Sequence, residues 1–477
     1  LTLPAKGTGR LWDSRRVDGQ PMVVGSFIPF VWVGNAPGGL AWFADSDQGW
    51  TPNNTHSAIE VRRTTKDSTD LVLNLISEPE TLTAARRIVF GLQATPVKPL
   101  RDGWRDNKWT FDTTFHDFAG ITTQPGKQHS DLIWSAVPYV INEEYAKKKA
   151  AEWKKSRGMA VPYFENNVMG KFRPEVDYFG EHWKASVGNM LWFDKTLQDF
   201  IVHSLAEWVQ IADIDGWYVD NVRFEACANI EAGRGYRLAD GRVQPTYQIF
   251  EQRDYWMRVR AAFIEAGKNP PLLVLHMTHN MVIPWIGIAD LALDHEANVI
   301  FPEMGKDFMD VWTPDRLRLD YPHQWGVAVI SMSKYDGDWS KASKEVLERN
   351  WRSFVGANRL HDTLVQSHND KDAKIRQAFG FGAADVQFFG YWDPQNPVRT
   401  RADQIKVSTW TRPGKQLVIA TNWGEATDAE VTLSAPAGWK VTEPESGQEL
   451  PIGHGGRVTL PIPKHHYRYL LLERATP

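Results

Sequence analysis

The sequence has almost no cysteine: Cys227 is the single cysteine among 477 residues. One cysteine excludes an intrachain disulfide and any zinc site made of cysteine ligands. A surplus of positive charge is also missing, because 54 Lys and Arg residues face 58 Asp and Glu residues, which gives a net charge of −4. A chain of this charge has no basic field for a nucleic-acid backbone, so we expect no nucleic-acid partner.

Long apolar runs and the common nucleotide motifs are absent as well. No run approaches the roughly 18 residues of a membrane span, and the N-terminus lacks the charged-then-apolar pattern of a signal peptide. The sequence contains no GxSxG, no P-loop, no complete GxGxxG and no HExxH motif. These absences argue against an α/β-hydrolase and against a nucleotide-dependent enzyme, and we expect no cofactor.

Tryptophan, by contrast, is abundant. The chain has 22 Trp, which equals the number of Phe and exceeds the 13 Tyr. Core packing must account for most of them. Because Trp combines a large rigid face with one N–H donor, the alternative for some of them is a surface on which flat sugar rings stack.

The pattern of apolar residues divides the chain into three parts. Short apolar runs between turn residues over 1–105 predict an N-terminal β-sandwich, whose upstream strands we expect in a longer precursor. Over 106–404, strand-like runs alternate with amphipathic helices about seven or eight times, which predicts an α/β fold of the (β/α)8 barrel type. Over 405–477 short strands return and predict a C-terminal β-sandwich.

The third strand of the predicted barrel is harder to place than the others. The third strand is expected between Phe172 and Phe193, and Val386–Tyr391 is expected to be one of the last strands. In a barrel of this kind, reactive groups lie at the C-terminal ends of the strands. The list of predicted strands therefore selects the candidate site residues.

Carboxylates stand at two of these strand ends. The run from Gly216 reaches Asp220 and Asn221, and Leu291–Asp294 is followed by Glu296. Further polar and aromatic candidates at or near predicted strand ends are Trp217, Glu225, His276, His279, Tyr335, Asp336, Trp339 and Trp392.

Carboxylates mixed with amides, imidazoles and aromatic rings suit glycosidic chemistry. The transition state is cationic at the anomeric carbon, so one carboxylate stabilises it, and a second acid of raised pKa protonates the leaving oxygen. We assign the negatively charged role to Asp220 and the acid role to Glu296 or Asp294. The remaining candidates are expected to bind the carbohydrate substrate, with Trp side chains stacking on sugar rings.

Other interpretations remain open at this point. Asp220 is alternatively a structural residue that caps the following loop. Another interpretation is a metal site formed by the neighbouring carboxylates with His276, His279 and His295, but the spacing of these histidines matches no fixed metal motif. A carbohydrate-binding protein without turnover is the second functional hypothesis, and a polysaccharide lyase is the third.

Three stretches of the sequence carry a family resemblance: Phe30–Gly34 with Gly39–Trp50, then Phe90–Pro99, and then the region from Asp215 to Glu296. The first two resemble the N-terminal β-sandwich, and the third resembles the barrel, of glycoside hydrolase family 123 and its uncharacterised bacterial relatives. The resemblance implies the same three-part architecture. It also implies action on β-linked N-acetylgalactosamine, with the 2-acetamido oxygen of the substrate attacking the anomeric carbon.

The family places an adjacent Asp-Glu pair after the fourth strand, in which Asp orients the acetamido group and Glu is the acid. Asp220 matches the Asp of this pair, whereas Asn221 stands where the family has Glu. Asn cannot donate a proton as an acid, so the acid role falls to Glu225, Asp294 or Glu296, or the chemistry differs. We expect a bacterial glycoside hydrolase that is secreted or periplasmic.

Overall fold

The computed structural model divides the chain into two compact units. The first comprises Leu1–Pro99, Asp112–Ala292 and Gln324–Val327, and the second comprises Leu100–Phe111, Leu293–His323 and Ala328–Pro477. The residues that the structure describes are 8–35, 38–105, 138–140, 142–165, 174–185, 191–277, 280–294, 296, 299–320, 323–332, 334–335, 338–365, 370–434 and 438–474.

The first unit begins with two antiparallel sheets. Their strands are β1 (Gly9–Asp13), β2 (Phe30–Asn35), β3 (Gly38–Phe43), β4 (Ile59–Thr65), β5 (Ser68–Leu73) and β6 (Gly91–Thr95). The strand orders are β1-β4-β5 and β2-β3-β6. The sequence expectation of several short strands in this part is confirmed, and Trp42 and Phe43 of β3 are buried.

The rest of the first unit alternates helices and strands. The elements are α1 (Glu143–Arg157), β7 (Tyr163–Glu165), α2 (Pro174–Trp183), α3 (Lys195–Ala212), β8 (Gly216–Asp220), β9 (Tyr236–Arg237), β10 (Val243–Gln244), α4 (Ile249–Glu265), β11 (Leu272–His276) and α5 (Ile283–Ile286). Strand β8 pairs in parallel with β7 on one side and with β11 on the other. The first residue of β8 must be a glycine, because a Cβ on Gly216 would collide with the backbone oxygen of Leu272.

The prediction of a third strand between Phe172 and Phe193 is wrong for residues 174–183, which form helix α2. Pro174 is well placed there, because proline fits the first position of a helix. Phe179 and Trp183 lie one helical turn apart, and their rings stack at a centroid distance of 4.9 Å. This four-residue spacing is helical rather than strand-like.

The second unit begins within β12 (Leu291–Asp294) and first continues the mixed pattern. The elements are β13 (Val299–Ile300), α6 (Phe308–Val311), α7 (Pro314–Asp320), β14 (Ala328–Ser331), β15 (Lys334–Tyr335), α8 (Lys344–Leu360), β16 (Leu364–Val365) and α9 (Asp370–Phe379). Strands β14 and β16 pair in parallel, as do β13 and β15. The expected α/β class with parallel strands is thus confirmed.

The end of the second unit consists of two antiparallel sheets. Their strands are β17 (Gln387–Phe389), β18 (Val398–Thr400), β19 (Ile405–Arg412), β20 (Lys415–Asn422), β21 (Thr427–Leu433), β22 (Trp439–Glu443), β23 (Gln448–Leu450), β24 (Arg457–Ile462) and β25 (Tyr467–Arg474). The strand orders are β17-β19-β20-β25-β22-β23 and β18-β21-β24, and one apolar cluster that includes Val407, Val431 and Leu470 contains residues of both sheets.

One predicted barrel strand belongs to these sheets instead. Val386–Tyr391 contains β17, which pairs antiparallel with β19, so its assignment as a last barrel strand is wrong. A three-residue strand carries too little sequence information to identify its partner. Among the described residues, no helix combines the length and the apolar character needed to cross a bilayer.

Candidate active site

Asp220 is the last residue of β8, and its carboxylate is held by three neighbours. Tyr163 donates its hydroxyl hydrogen to Oδ2 at 2.8 Å. The backbone N–H of Asn221 donates to Oδ1 at 2.7 Å, and Nδ1 of His276 lies 2.7 Å from the same oxygen. The carboxylate is therefore fixed in one orientation.

Parallel pairing explains why these residues meet. Tyr163 lies in β7 opposite Tyr218, and His276 ends β11, directly after the pairing of Leu275 with Val219. The strands on both sides of β8 thus deliver one side chain each to Asp220. The backbone N–H of Val222, just beyond β8, donates to the backbone oxygen of His276 at 3.0 Å, which ties the two strand ends together.

Asn221 has a special backbone conformation. Its φ is +53°, in the left-handed region, which Asn tolerates better than most residues that carry a side chain. The chain therefore turns directly after Asp220, and the Asn221 backbone N–H donates to the Asp220 carboxylate. Asn221 therefore contributes to the site through its backbone, in addition to the side-chain role that the sequence predicts.

The surroundings of Asp220 favour its ionised form. Burial by itself raises the pKa of this carboxyl, but the hydrogen bond and charge of His276, the Tyr163 hydroxyl and the Asn221 N–H outweigh burial and hold the pKa below its usual value. A group with a lowered pKa is a poor proton donor near neutral pH. Asp220 is thus suited to stabilise or orient a positive centre rather than to act as an acid.

His276 is almost completely buried, at 2% exposure. Its Nδ1 lies 2.7 Å from Oδ1 of Asp220 and 2.9 Å from the hydroxyl of Tyr218. A carboxylate can only accept a hydrogen bond, so we assign the hydrogen to Nδ1. The predicted role of His276 in binding sugar hydroxyls therefore cannot involve Nδ1, which is already used within the protein.

Glu225 lies on the loop after β8, and the pKa of its carboxyl is shifted in the opposite direction to that of Asp220. Burial raises the pKa of its carboxyl, although the guanidinium of Arg223, 3.2 Å away, partly opposes the shift. Gln252 of α4 donates to the backbone oxygen of Arg223 at 2.9 Å and fixes this loop. A raised pKa is the property that a general acid requires.

Cys227, further along the loop, is buried, as the sequence predicts for a small structural residue. Its backbone exchanges two hydrogen bonds with Thr246, at 2.8 and 2.9 Å, which close the loop.

Two of the predicted aromatic site residues stack on side chains of their own unit. Trp217 is 1% exposed, and its ring stacks on Phe164 with a centroid distance of 4.7 Å. The expectation that Trp217 lines a sugar site is therefore wrong: side chains alternate along β8, so Trp217 faces away from Asp220. Trp392, in the second unit, is half-buried and stacks on His361 at 5.7 Å.

The remaining predicted residues belong mostly to the second unit. Asp294 ends β12, is half-buried, and accepts a backbone hydrogen bond from Met332 at 2.9 Å. Glu296 is half-buried on a turn, and Trp339 is also half-buried. Tyr335 is the second residue of β15. His279, His295 and Asp336 lie outside the described residues.

Sequence reasoning missed Tyr163 and Tyr218. Tyr218 could have been found by the two-residue period of a strand, because it precedes Asp220 by two positions and lies on the same face. Tyr163 could not, because its strand has three residues and its position relative to Asp220 depends on which strands are neighbours.

One cluster in the second unit has the composition of a cation site. Ligand atoms of Asp307, Asp310 and His465 lie within 4.8 Å of one another. However, Oδ1 of Asp307 caps helix α6, and its Oδ2 is 2.7 Å from His465 Nδ1 and 3.1 Å from Arg349 Nε. Because the positive charge of Arg349 disfavours a second cation here, we interpret the cluster as a structural network of ion pairs and hydrogen bonds.

Comparison with known proteins adds a family match. Residues 373–442, from α9 into β22, match the family model described as glycoside hydrolase 123, C-terminal domain. No curated protein matches the sequence.

Similar solved structures include three carbohydrate-active enzymes. An α-amylase of Anoxybacillus has a TM-score of 0.48 at 11% identity and covers 80% of this chain and 97% of its own. A cyclomaltodextrinase has a TM-score of 0.48 at 10% identity and covers 91% of this chain and 86% of its own. A variant of a GH27 β-L-arabinopyranosidase from Geobacillus stearothermophilus has a TM-score of 0.43 at 12% identity and covers 69% of this chain and 78% of its own. Such low scores support no conclusion about this chain.

The family match, which covers only part of the second unit, defines the class of protein: the chain is a glycoside hydrolase. More particularly, residues 373–442 are similar to the C-terminal domain of glycoside hydrolase family 123, which confirms the resemblance seen in the sequence.

Proposed function

We propose that this glycoside hydrolase cleaves a β-linked sugar that carries a 2-acetamido group, as in N-acetylgalactosamine. The observation that carries the proposal is the Asp220 carboxylate, fixed by three donors at the end of β8 and biased towards its ionised form. An anion in this position stabilises the positive charge of an oxocarbenium-like transition state. It also orients an acetamido group, which is the role that the family resemblance implies for Asp220.

A second carboxyl group must act as the acid, because Asp220 is held ionised and Asn221 has no acidic proton. Glu296 and Asp294 are our sequence-based candidates, since they stand at and just beyond the end of β12 in the chain. Glu225 is a third candidate, supported by its raised pKa and its place on the loop after β8. The proposal therefore assigns the acid to one of three named residues.

We also propose that the parallel strands belong to a (β/α)8 barrel, with Trp339 and Tyr335 contributing to sugar binding. The support is the repeated alternation of helix and strand, together with a carboxylate at the C-terminal end of β8, where barrel enzymes carry reactive groups. A secreted or periplasmic location and the three domains 1–105, 106–404 and 405–477 stay predictions.

The substrate class is tested with a panel of 4-nitrophenyl β-glycosides. We expect turnover of N-acetylgalactosaminide or N-acetylglucosaminide and none of galactoside or glucoside. A thiazoline analogue of the acetamido sugar, which mimics the cyclic intermediate of substrate assistance, should inhibit competitively. Turnover of sugars without the acetamido group, together with no inhibition by the thiazoline, would contradict the proposal.

The acid is identified by the dependence of each variant on the leaving group. Glu225→Gln, Asp294→Asn and Glu296→Gln are compared on a disaccharide and on a 2,4-dinitrophenyl glycoside. A dinitrophenolate leaves without protonation, so loss of the acid should lower kcat on the disaccharide by about 10²-fold or more and spare the dinitrophenyl substrate. If none of the three variants shows this selective loss, the assignment fails.

A further inference from the structure

The two oxygens of the Asp220 carboxylate have different surroundings. Oδ1 receives two donors, Nδ1 of His276 and the Asn221 N–H, each at 2.7 Å. Within the part of the chain that the structure describes, Oδ2 receives the Tyr163 hydroxyl at 2.8 Å. A carboxylate oxygen has two lone-pair sites. Oδ1 is therefore saturated by protein groups, whereas Oδ2 retains one site for a ligand.

We infer that His276 is a positioning residue: by holding Oδ1 of Asp220, it turns Oδ2 towards the reacting end of the sugar. The inference rests on the proposed function, because it needs Asp220 to face the anomeric carbon. It adds which oxygen acts and which side chain sets its direction. It also differs from the sugar-binding role that strand position suggests for His276.

The imidazole is held strongly enough to serve this purpose. His276 is 2% exposed, its Nδ1 is also 2.9 Å from the Tyr218 hydroxyl, and its backbone oxygen accepts from Val222 at 3.0 Å. Tyr218 and Asp220 lie on the same face of β8, and because Nδ1 carries one hydrogen, the Tyr218 hydroxyl oxygen shares that hydrogen with Oδ1 of Asp220. Rotation of the carboxylate would break the contacts to both His276 and Asn221.

The test compares two amide replacements of the imidazole. In His276→Asn the side-chain amide nitrogen lies near the position of Nδ1 and can still donate to Oδ1 of Asp220. In His276→Gln the longer side chain places the amide near the position of Nε2 and leaves Oδ1 without this donor. Both substitutions bury a similar polar group, and thermal unfolding is measured to match their stability.

With the 4-nitrophenyl acetamido sugar as substrate, we expect His276→Asn to keep kcat within a few-fold of the unmodified enzyme. His276→Gln should lose about tenfold or more in kcat with KM little changed, because a displaced carboxylate affects the transition state most. Equal kcat values for folded Asn and Gln variants would overturn the inference. Should the Asn variant lose as much kcat as the Gln variant, the inference also fails.

Asp220→Asn separates this inference from the proposed function. If that variant keeps full activity, the proposed function itself fails. If Asp220→Asn is inactive while His276→Gln is fully active, only the positioning role of His276 is refuted.

Discussion

Asp220 stays an anion in a position that is largely shielded from water. Removing a carboxylate from water is costly, and burial alone would keep the proton on this group. The opposing contributions come from His276, Tyr163 and the Asn221 N–H, and together they lower the pKa. The ionised state of the candidate catalytic group is thus a property of its donors, and each donor can be removed separately.

Tyr163→Phe removes one donor and leaves the packing of the ring in place. The hydrogen bond to Oδ2 favours the ionised carboxylate, so its loss raises the pKa of Asp220. Ionised Asp220 is required for turnover, and the acidic limb of the pH profile of kcat/KM should therefore move to higher pH. We also expect a loss of roughly tenfold in kcat/KM at neutral pH, since a hydrogen bond to a charged group contributes about 1.5 kcal/mol or more.

Tyr236→Phe is the matched control for this experiment. The Tyr236 hydroxyl also donates to a carboxylate, Asp47, at 2.9 Å, but neither residue belongs to the candidate site. The control should leave the acidic limb where it is. An unchanged pH profile in Tyr163→Phe would contradict the role of this tyrosine.

At the scale of elements, helix α4 begins on a carboxylate from a distant part of the chain. Oδ1 of Asp45, just after β3, accepts the backbone N–H groups of Ile249 at 2.6 Å and Phe250 at 3.1 Å. The N-terminus of a helix has unpaired N–H groups, and an acceptor there stabilises it. Asp45 also lies against Glu251 in the first turn of the same helix.

This pair of carboxyl groups makes stability depend on pH. Burial and the charge and hydrogen bond of Glu251 raise the pKa of Asp45 from 3.8 to about 9. Between these values the folded protein keeps a proton that the unfolded chain releases, so the free energy of unfolding falls as pH rises from about 4 to about 9. The limiting slope is about 1.4 kcal/mol per pH unit for one proton.

Asp45→Asn should flatten this dependence, because the amide keeps an acceptor oxygen for the helix but has no proton to release. We expect Tm to fall less between pH 5 and pH 9 in this variant than in the unmodified protein. Asp194→Asn is the control, since Asp194 caps α3 through Leu197 but pairs with Arg234 rather than with another carboxyl group. Parallel Tm curves for Asp45→Asn and the unmodified protein would refute the shared proton.

At the scale of the whole molecule, local sequence patterns predicted whether a segment is a helix or a strand better than they predicted which strands pair with it. Alternating apolar residues identified β3, β8 and β19, because burial of one face or both faces is visible in the sequence itself. Helix α2 was missed, and β17 was assigned to the wrong sheet, because short segments flanked by Pro, Gly and aromatic residues fit more than one environment. Partner choice depends on residues far away in the chain.

The candidate site likewise contains residues that the sequence predicts and residues whose positions depend on strand order. Asp220 was predictable because a carboxylate directly after an apolar strand stands where α/β enzymes carry reactive groups. Its partners Tyr163 and His276 come from the two neighbouring strands, so their convergence requires the order β7-β8-β11, which the sequence does not state. The prediction that Trp217 lines the sugar site is wrong because side chains alternate between the two faces of a strand, and Trp217 lies on the face opposite Asp220.

The central claim is that Asp220 performs glycosidic chemistry, and one measurement tests it directly. Asp220→Asn and Asp240→Asn, the latter on the exposed β9–β10 turn, are assayed against the unmodified enzyme on the 4-nitrophenyl acetamido sugar, with far-UV circular dichroism to confirm folding. We predict that kcat/KM falls by on the order of 10³-fold in Asp220→Asn and is unchanged in Asp240→Asn. Activity of a folded Asp220→Asn variant within a few-fold of the unmodified enzyme would contradict the claim.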